Sequence, residues 1–538
     1  MFPTLETPPR SSKEGNVPKH DLSGTLTANP EMALPEGFSA NTYREIAAVD
    51  LGSNTFRLQV GRVVDDQIYP GDSIKDTVRI ASGLTASKQL DEAAQIRALT
   101  ALARFGERLR GFRRESVRAV ATSALRIARN ADTFLPRAEE ALGFPIEVIR
   151  GREEARLIYI GAHHALPPSD QTRLVVDVGG GSTEFVIGRK NEPLLMESLR
   201  MGCVSFTHAH FPNGKVTRRS FREAEMAAAG DIQSIAGNYR RFGWGKAFGS
   251  SGTARTIARI LELNSLNPGG AAGITREGLD NLRERMIHAG SPEALTLDGL
   301  PTDRLPILPA GAAIMSAIFS RLDIPQMHPA RGALRLGVMY DLLGRFHQHD
   351  MRDTTVRQFK RRYRVDLRQA ERVEKAALAL LGQLLDPNDP AHEDDRRSLR
   401  WAAQLHEIGL SIAHSGFHKH GAYIIDEADM PGFSRKDQSR LSHLVLGQRG
   451  NLFKLAALPS DDTLSHLLIC LRLAALLHRS RSDLPLPDIR LSHQDHAYRL
   501  EVPRRWLSEN RLSAAALADE SLTWMQAGST LQVIHRAC

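Results

Sequence analysis

Apolar and polar positions follow one pattern near residue 50 and again near residue 177. Ala47-Ala48-Val49-Asp50-Leu51-Gly52-Ser53-Asn54-Thr55 can be laid over Val175-Val176-Asp177-Val178-Gly179-Gly180-Gly181-Ser182-Thr183. Aligning the aspartates also aligns Gly52 with Gly179 and Gly61-Arg62 with Gly188-Arg189. Each copy reads as a short apolar strand, an Asp, a turn of small residues and a second strand, Phe56 to Val60 or Phe185 to Ile187. A duplicated hairpin of this kind predicts two similar half-domains, each supplying one loop to a shared cleft where a ligand sits.

Between the hairpins, Asp91 to Phe112 has apolar residues at helical spacing, and Val117 to Thr122 and Ile146 to Ile149 read as strands. After the second hairpin come a helix over Phe221 to Phe242, a strand at Ala247-Phe248, the loop Gly249 to Thr253 and a helix over Ala254 to Leu263. From Asp350 long helical patterns take over, as in Asp366 to Leu385 and Arg397 to His406. Strand signals return only near Ile489 to Val502 and Leu531 to His535. Pro387 to Pro390 and the charge run Glu393 to Arg397 read as a loop inside this region. The first 40 residues hold six prolines among polar residues and read as a flexible tail. The organisation expected is α/β: a tail over 1–40, a lobe over 41–157, a second lobe over 158–346, a helical region over 347–485 and a small α+β segment over 486–538.

Length and composition agree with this. A chain of 538 residues suggests about three or four domains. With 42% hydrophobic and 25% charged residues the chain can bury a large core. A net charge of +8 favours acidic partners, while 6% aromatics, with no basic stretch interleaved with them, argue against specific nucleic-acid binding. Cys203, Cys470 and Cys538 are sparse and lack metal-type spacing, so a reducing, cytoplasmic setting is expected. Leu305 to Phe319 carries two prolines and Leu467 to Leu477 is interrupted by Arg472, so no membrane span is expected and at most a peripheral membrane association.

The candidate chemistry lies in the two loops. Gly52, Gly179, Gly180 and Gly181 let backbone N–H groups face a phosphate without a side chain in the way, and Ser53, Asn54, Ser182 and Thr183 add donors. Asp50 and Asp177 repel phosphate directly but can hold a divalent cation that touches it. Ser251, Gly252 and Thr253 precede a helix and offer a third anion site. Arg57 and Arg126 are candidate guanidinium clamps. Glu154 and Glu184 are candidates for the carboxylate that takes a proton from an attacking water, and their residue types alone do not choose between them. The bland alternative for Glu153 or Glu154 is a surface salt bridge to Arg152 or Arg156.

AAVDLGSNTFRL and VVDVGGGSTEFVIG, with ATSALR, GREEARLIYIGA, RMGCVSF and GSSGTARTI, resemble the exopolyphosphatase and guanosine pentaphosphate phosphohydrolase family, within the actin, hexokinase and ribonuclease H-like superfamily. The likeness runs from about Glu45 to the C-terminus, and Arg126, RMGCVSF and HSGFHKHGAYII favour the exopolyphosphatase branch. The resemblance implies two actin-like lobes and processive hydrolysis of the terminal phosphate of inorganic polyphosphate, with Mg²⁺ as cofactor, K⁺ as activator and a homodimer. The alternatives are hydrolysis of guanosine pentaphosphate, or a sensor binding polyphosphate or guanosine penta- or tetraphosphate. By resemblance Glu154 is the catalytic base, Glu184 its acidic support and Arg126 the arginine of polyphosphate cleavage, while Asp50, Asp177, Glu154 and Glu184 form the metal set. The family's GALREG reads Gly332-Ala333-Leu334-Arg335-Leu336-Gly337 here, so a carboxylate is missing at Leu336.

His406-Glu407 with His414, His418 and His420 invites a metal reading, but position 410 is Leu and the HExxH spacing fails. The segment is similar to an HD hydrolase core in which Glu407 replaces the Asp, which implies a degenerate helical domain. The pairs Arg218-Arg219, Arg240-Arg241 and Arg504-Arg505 and the run Lys360-Arg361-Arg362 are candidates for a polyanion track.

Overall fold

In the computed structural model, which describes residues 45–64, 67–346, 350–452, 462–483, 485–494 and 497–536, the apolar run before Asp50 becomes strand β1 (Glu45–Leu51). The tail over 1–40 and Cys538 lie outside the described residues. Strand β1 is buried on both faces: Ala47, Val49 and Leu51 enter one core, Ile46 and Ala48 another. It is joined by β2 (Phe56–Val64), β3 (Gln67–Asp76), β4 (Val117–Ala121) and β5 (Ile146–Val148) in the order β3-β2-β1-β4-β5. The first three strands are antiparallel, and β4 and β5 continue parallel to β1.

The second sheet repeats the first. It contains β6 (Arg173–Val178), β7 (Thr183–Arg189), β8 (Glu192–Leu199), β9 (Lys246–Gly249), β10 (Ile274–Thr275) and β11 (Gln326–Pro329). Its order β10-β11-β9-β6-β7-β8 contains the same antiparallel hairpin trio and parallel pair, with β10 added at one edge. The chain is thus α/β with two lobes built on one sheet plan and a helical region after them.

One core joins the two sheets. Ile46 and Ala48 of β1 and Val175 and Val186 of the second sheet pack with Leu157, Ile158 and Ala162 of helix Gly151–Ala165 and with Val338 and Met339 of helix Leu334–Phe346. The two helices cross at glycines. A Cβ on Gly337 would stand 1.7 Å from the Leu157 carbonyl oxygen, and one on Gly161 2.1 Å from that of Ala333. Helix Gly151–Ala165 runs unbroken through residue 157, so the lobe boundary expected there falls inside one element bound to both sheets. Leu336 packs partly buried against this core, which accounts for an apolar residue at that position.

The helical region and the C-terminal segment share one core. The sheet β12 (Arg490–Gln494), β13 (Ala497–Pro503) and β14 (Thr530–Arg536) contributes Leu491, Tyr498, Leu500, Val502 and Leu531 to the cluster that holds Val373, Leu399 and Leu471. A boundary at 485/486 therefore does not separate two cores. The run Glu393 to Arg397 is not a loop: it opens helix Glu393–Leu405, whose first turn places Glu393, Asp394 and Asp395 at the positive end of the dipole. The stretch Thr302–Leu322 is long and apolar enough to cross a membrane, but 67% of its apolar window is buried, as in a core helix of the second lobe. Arg472 is buried in helix Asp462–Leu477, where it pairs with Glu520 and donates to the carbonyls of Gly447 and Gly450.

Gly337→Ala should cost about 1–3 kcal/mol or more, because helix backbone cannot yield to the new methyl. Gly382→Ala, in an open helical position, should be neutral or stabilising by up to about 1 kcal/mol. Urea midpoints of the two variants decide it, and equal midpoints would contradict the crossing.

Candidate active site

Each loop leaves the C-terminal end of a central strand, where open α/β sheets bind ligands. Residues 52–54 follow β1 and residues 179–182 follow β6. The copies match in geometry: a Cβ on Gly52 would stand 3.0 Å from the Thr55 carbonyl oxygen, and one on Gly179 3.0 Å from that of Ser182. The loops also meet. A Cβ on Gly180 would stand 3.0 Å from Ser53 Cβ and 3.7 Å from the Asn54 nitrogen, and one on Gly181 2.7 Å from Ser123 Oγ. None of these glycines has a left-handed φ, so close approach explains them rather than turn handedness.

Four carboxylates face this junction. Glu154, in the first turn of helix Gly151–Ala165, accepts from Arg126 Nη1 at 3.0 Å, and the same nitrogen donates to the Ile149 carbonyl at 2.8 Å. Arg126 sits on the short helix after β4. Glu184, at the start of β7, accepts from Ser198 Oγ of β8 at 2.9 Å. Asp177 accepts from Ser250 Oγ at 2.6 Å, and Asp50 Oδ2 lies 3.9 Å from Arg335 Nη1. Glu153 and Glu154 are both buried, so the surface salt-bridge reading fails; Glu153 holds Arg156 through two 2.8 Å bonds.

Burial pushes all four acids above their ordinary values, and repulsion from neighbouring acids adds to it at Asp50, Glu154 and Glu184. Asp50 rises to about 6, against the pull of Arg335 and Arg57. Glu154 rises to about 7 through burial, opposed by Arg126 and reinforced by Asp50 and Asp177. Glu184 rises well above its usual range through burial, then Glu154 and Asp177. Asp177 rises through burial against its bond from Ser250. Cations gather beside them: burial, then Arg335, lowers Arg57, and burial with Arg57 and Arg304 among its neighbours lowers Arg255. Arg335 Nε is buried with no hydrogen-bond partner. Acids that resist ionising beside guanidinium groups that repel one another suit a cleft that receives a polyanion.

Three expected phosphate donors are already engaged. Thr183 Oγ1 donates to the Met201 carbonyl at 2.6 Å and Thr253 Oγ1 to that of Val178 at 3.0 Å. Ser251 Oγ caps helix Gly252–Leu263 by accepting from the Ala254 N–H at 2.9 Å. The Arg304 guanidinium rests against Gly252, where a Cβ would meet it at 2.2 Å. Sequence reading missed Ser198 of β8, Ser250 of the loop after β9, Arg255 of helix Gly252–Leu263 and Arg304 of the short helix Thr302–Ile307; the small-residue loop at Gly249 to Thr253 was the available signal for Ser250 and Arg255.

Among the described residues, no three His, Cys, Asp or Glu side chains could hold a metal ion between them. The four-acid metal set is therefore not a ready cage: Glu154 is engaged by Arg126 and Glu184 by Ser198. Asp50 and Asp177 still fit Mg²⁺, which commonly takes one or two carboxylates and completes its shell with water and substrate phosphate. Of the candidate basic track, Arg218 pairs with Glu284, Arg219 with Glu223 and Arg505 with Glu509, all at exposed positions. In the helical region His406 is buried, its Nδ1 donates to the Ala403 carbonyl at 2.7 Å, and Glu407 pairs with Arg481.

Two family models match the chain, one described as the Ppx/GppA phosphatase family over residues 60–346 and one as Ppx/GppA phosphatase, domain III, over residues 351–521. A guanosine-5'-triphosphate,3'-diphosphate pyrophosphatase of Aeromonas hydrophila subsp. hydrophila is 38% identical over 479 residues, covering 88% of this chain and 95% of its own length. A protein of the same name from Pseudoalteromonas atlantica is 36% identical over 497 residues, 92% and 97% of the two chains. The crystal structure of an exopolyphosphatase from Cytophaga hutchinsonii is similar in fold, with a TM-score of 0.50 and 24% identity over 56% of this chain and 97% of its own.

A carboxyl group should titrate near pH 7 in an infrared difference titration and vanish in Glu154→Gln. Arg126→Ala removes a cation that favours the carboxylate, so the same signal should move to higher pH. A signal that stays in Glu154→Gln would assign it elsewhere.

Proposed function

The chain belongs to the Ppx/GppA phosphatase family, whose members hydrolyse phosphoanhydride bonds, and from that premise we propose that its substrate is guanosine 5'-triphosphate 3'-diphosphate, from which it removes the terminal 5'-phosphate. The observation that carries the reaction is the Glu154 carboxylate, raised to about 7 and held by Arg126 beside two apposed glycine loops. Relatives with that substrate in their name match across both lobes and the helical region, which favours it over polyphosphate. Polyphosphate is the second reading, favoured by Arg126 in ATSALR and by RMGCVSF.

Water attacks the terminal phosphorus in line, a new P–O bond forms, and the bond to the bridging oxygen breaks as that oxygen takes the electron pair. Glu154 accepts the proton of the attacking water, and a carboxylate poised near neutral pH suits this role. Glu184, held well above the usual carboxylate range by burial and by Glu154 and Asp177, stands beside it. N–H groups at Gly52, Ser53, Gly180 and Gly181 cradle the terminal phosphoryl oxygens, and Arg57, Arg304 and Arg335 take up charge spread over the phosphate chain. Mg²⁺, when bound, neutralises that chain, with Asp50 and Asp177 as the residues that would hold it; K⁺ is proposed as activator.

Glu154→Gln should lower kcat by about 10² or more with little change in KM, and unchanged turnover would remove Glu154 from the role. Phosphate release should be faster from guanosine pentaphosphate than from long-chain polyphosphate at equal phosphate concentration. The reverse order would favour exopolyphosphatase. EDTA should abolish both activities and Mg²⁺ restore them, with K⁺ raising the restored rate.

A further inference from the structure

Glu154 faces the cleft, but the side chains around it at the start of the same helix hold on to a distant part of the chain. Arg150 Nη1 donates to the Glu427 carbonyl at 3.2 Å, and Nη2 donates to that of Asp426. Arg152 Nη1 lies 3.0 Å from Asp429 Oδ2, while its Nη2 holds Glu197 of β8 at 2.8 Å. Glu153 Oε2 accepts the Gly432 N–H at 2.9 Å. Apart from Glu197, these partners belong to the segment from Asp426 to Gly432, which leads out of helix Phe417–Glu427 toward helix Arg435–Gly447.

The same segment reaches the other half of the pair. Arg435, first in its helix, donates from Nη1 to the Arg126 carbonyl at 3.4 Å. Gly432 has φ +88°, and a Cβ there would meet the Arg352 nitrogen at 3.0 Å, so the conformation that offers its N–H to Glu153 needs glycine. Arg345 Nη2 donates to the Gly432 carbonyl at 3.3 Å and secures the segment from behind.

We propose that residues 426–435 of the helical region form a clamp that sets Arg126 against Glu154, with Gly432 and Arg435 as positioning residues for the reaction. This rests on the assignment of Glu154 as the base. The clamp gives the helical region a part in chemistry although, among the described residues, it places no side chain on the four carboxylates. A shift of about 1 Å in a reacting group can cost as much as 10²-fold in rate, whereas exposed contacts such as Arg435 and Asp429 add little to folding.

The test is a double-mutant cycle on the full chain, with phosphate release from guanosine pentaphosphate as the readout. Arg435→Ala should lower kcat about tenfold, leave KM within about twofold and leave Tm unchanged. In an Arg126→Ala background it should cost less than about twofold, because the group it positions is gone. Asp429→Asn, at a half-exposed position, should lower kcat in the same way and serves as the second variant should Arg435→Ala fold poorly. Unchanged kcat in both variants, or equal losses in both backgrounds, overturns the clamp. Glu154→Gln measured alongside separates the two failures: full turnover there overturns the base assignment, while the cycle alone judges the clamp.

Discussion

The structure turns on a buried network of charges at the joint of the two lobes. Arg156 is almost wholly buried and binds Glu153 on its own helix and Asp341 on the crossing helix. Arg118 of β4 binds the same Asp341 at 2.6 Å and Glu147 of β5 at 2.9 Å, and Arg345 lies 3.5 Å from both acids. Burial by itself would raise Asp341, but Arg156, Arg118 and Arg345 together hold it well below the usual range. Removing one member of such a network leaves an unpaired buried charge, typically a loss of about 3–5 kcal/mol. Its structural effect is rotational. With Glu153 and Arg156 turned toward Asp341, the next carboxylate on the helix, Glu154, is turned into the cleft.

That rotation explains why neighbouring glutamates do different things. Glu153 accepts from the Arg156 guanidinium and the Gly432 N–H, so its part is structural. Glu154 has one cation and several acids around it, so its charge is poorly compensated and its proton is within reach of neutral pH. The cationic side of the cleft follows the same logic. Arg57, Arg255 and Arg335 are each lowered by burial and by a neighbouring guanidinium, and a multiply charged phosphate relieves that repulsion.

The helical region is joined to this centre through backbone and ionic contacts. His406 is turned to the Ala403 carbonyl and Glu407 to Arg481, so the HD-like residues are engaged locally. What the region contributes instead is the segment behind helix Gly151–Ala165. Met430 and Phe433 anchor that segment in the core the region shares with β12, β13 and β14.

The duplicated hairpins were legible in the chain itself, because a strand, an aspartate, a turn of small residues and a second strand are a local pattern. Asp50, Asp177 and the glycine loops could be placed from it, and Glu154 could be singled out only through family likeness in GREEAR. Its environment could not be read. Ser198 reaches Glu184 from the next strand, Ser250 reaches Asp177 from 73 residues away, and Gly432 reaches Glu153 from 279 residues away. Nor could residue type show that Thr183 and Thr253 are already bonded to carbonyls. Periodicity reports how a segment meets its own backbone, so the sequence determined strands, turns and candidate ligands. Which side chain meets which across strands and helices depends on packing between distant segments, and only the tertiary structure decided that.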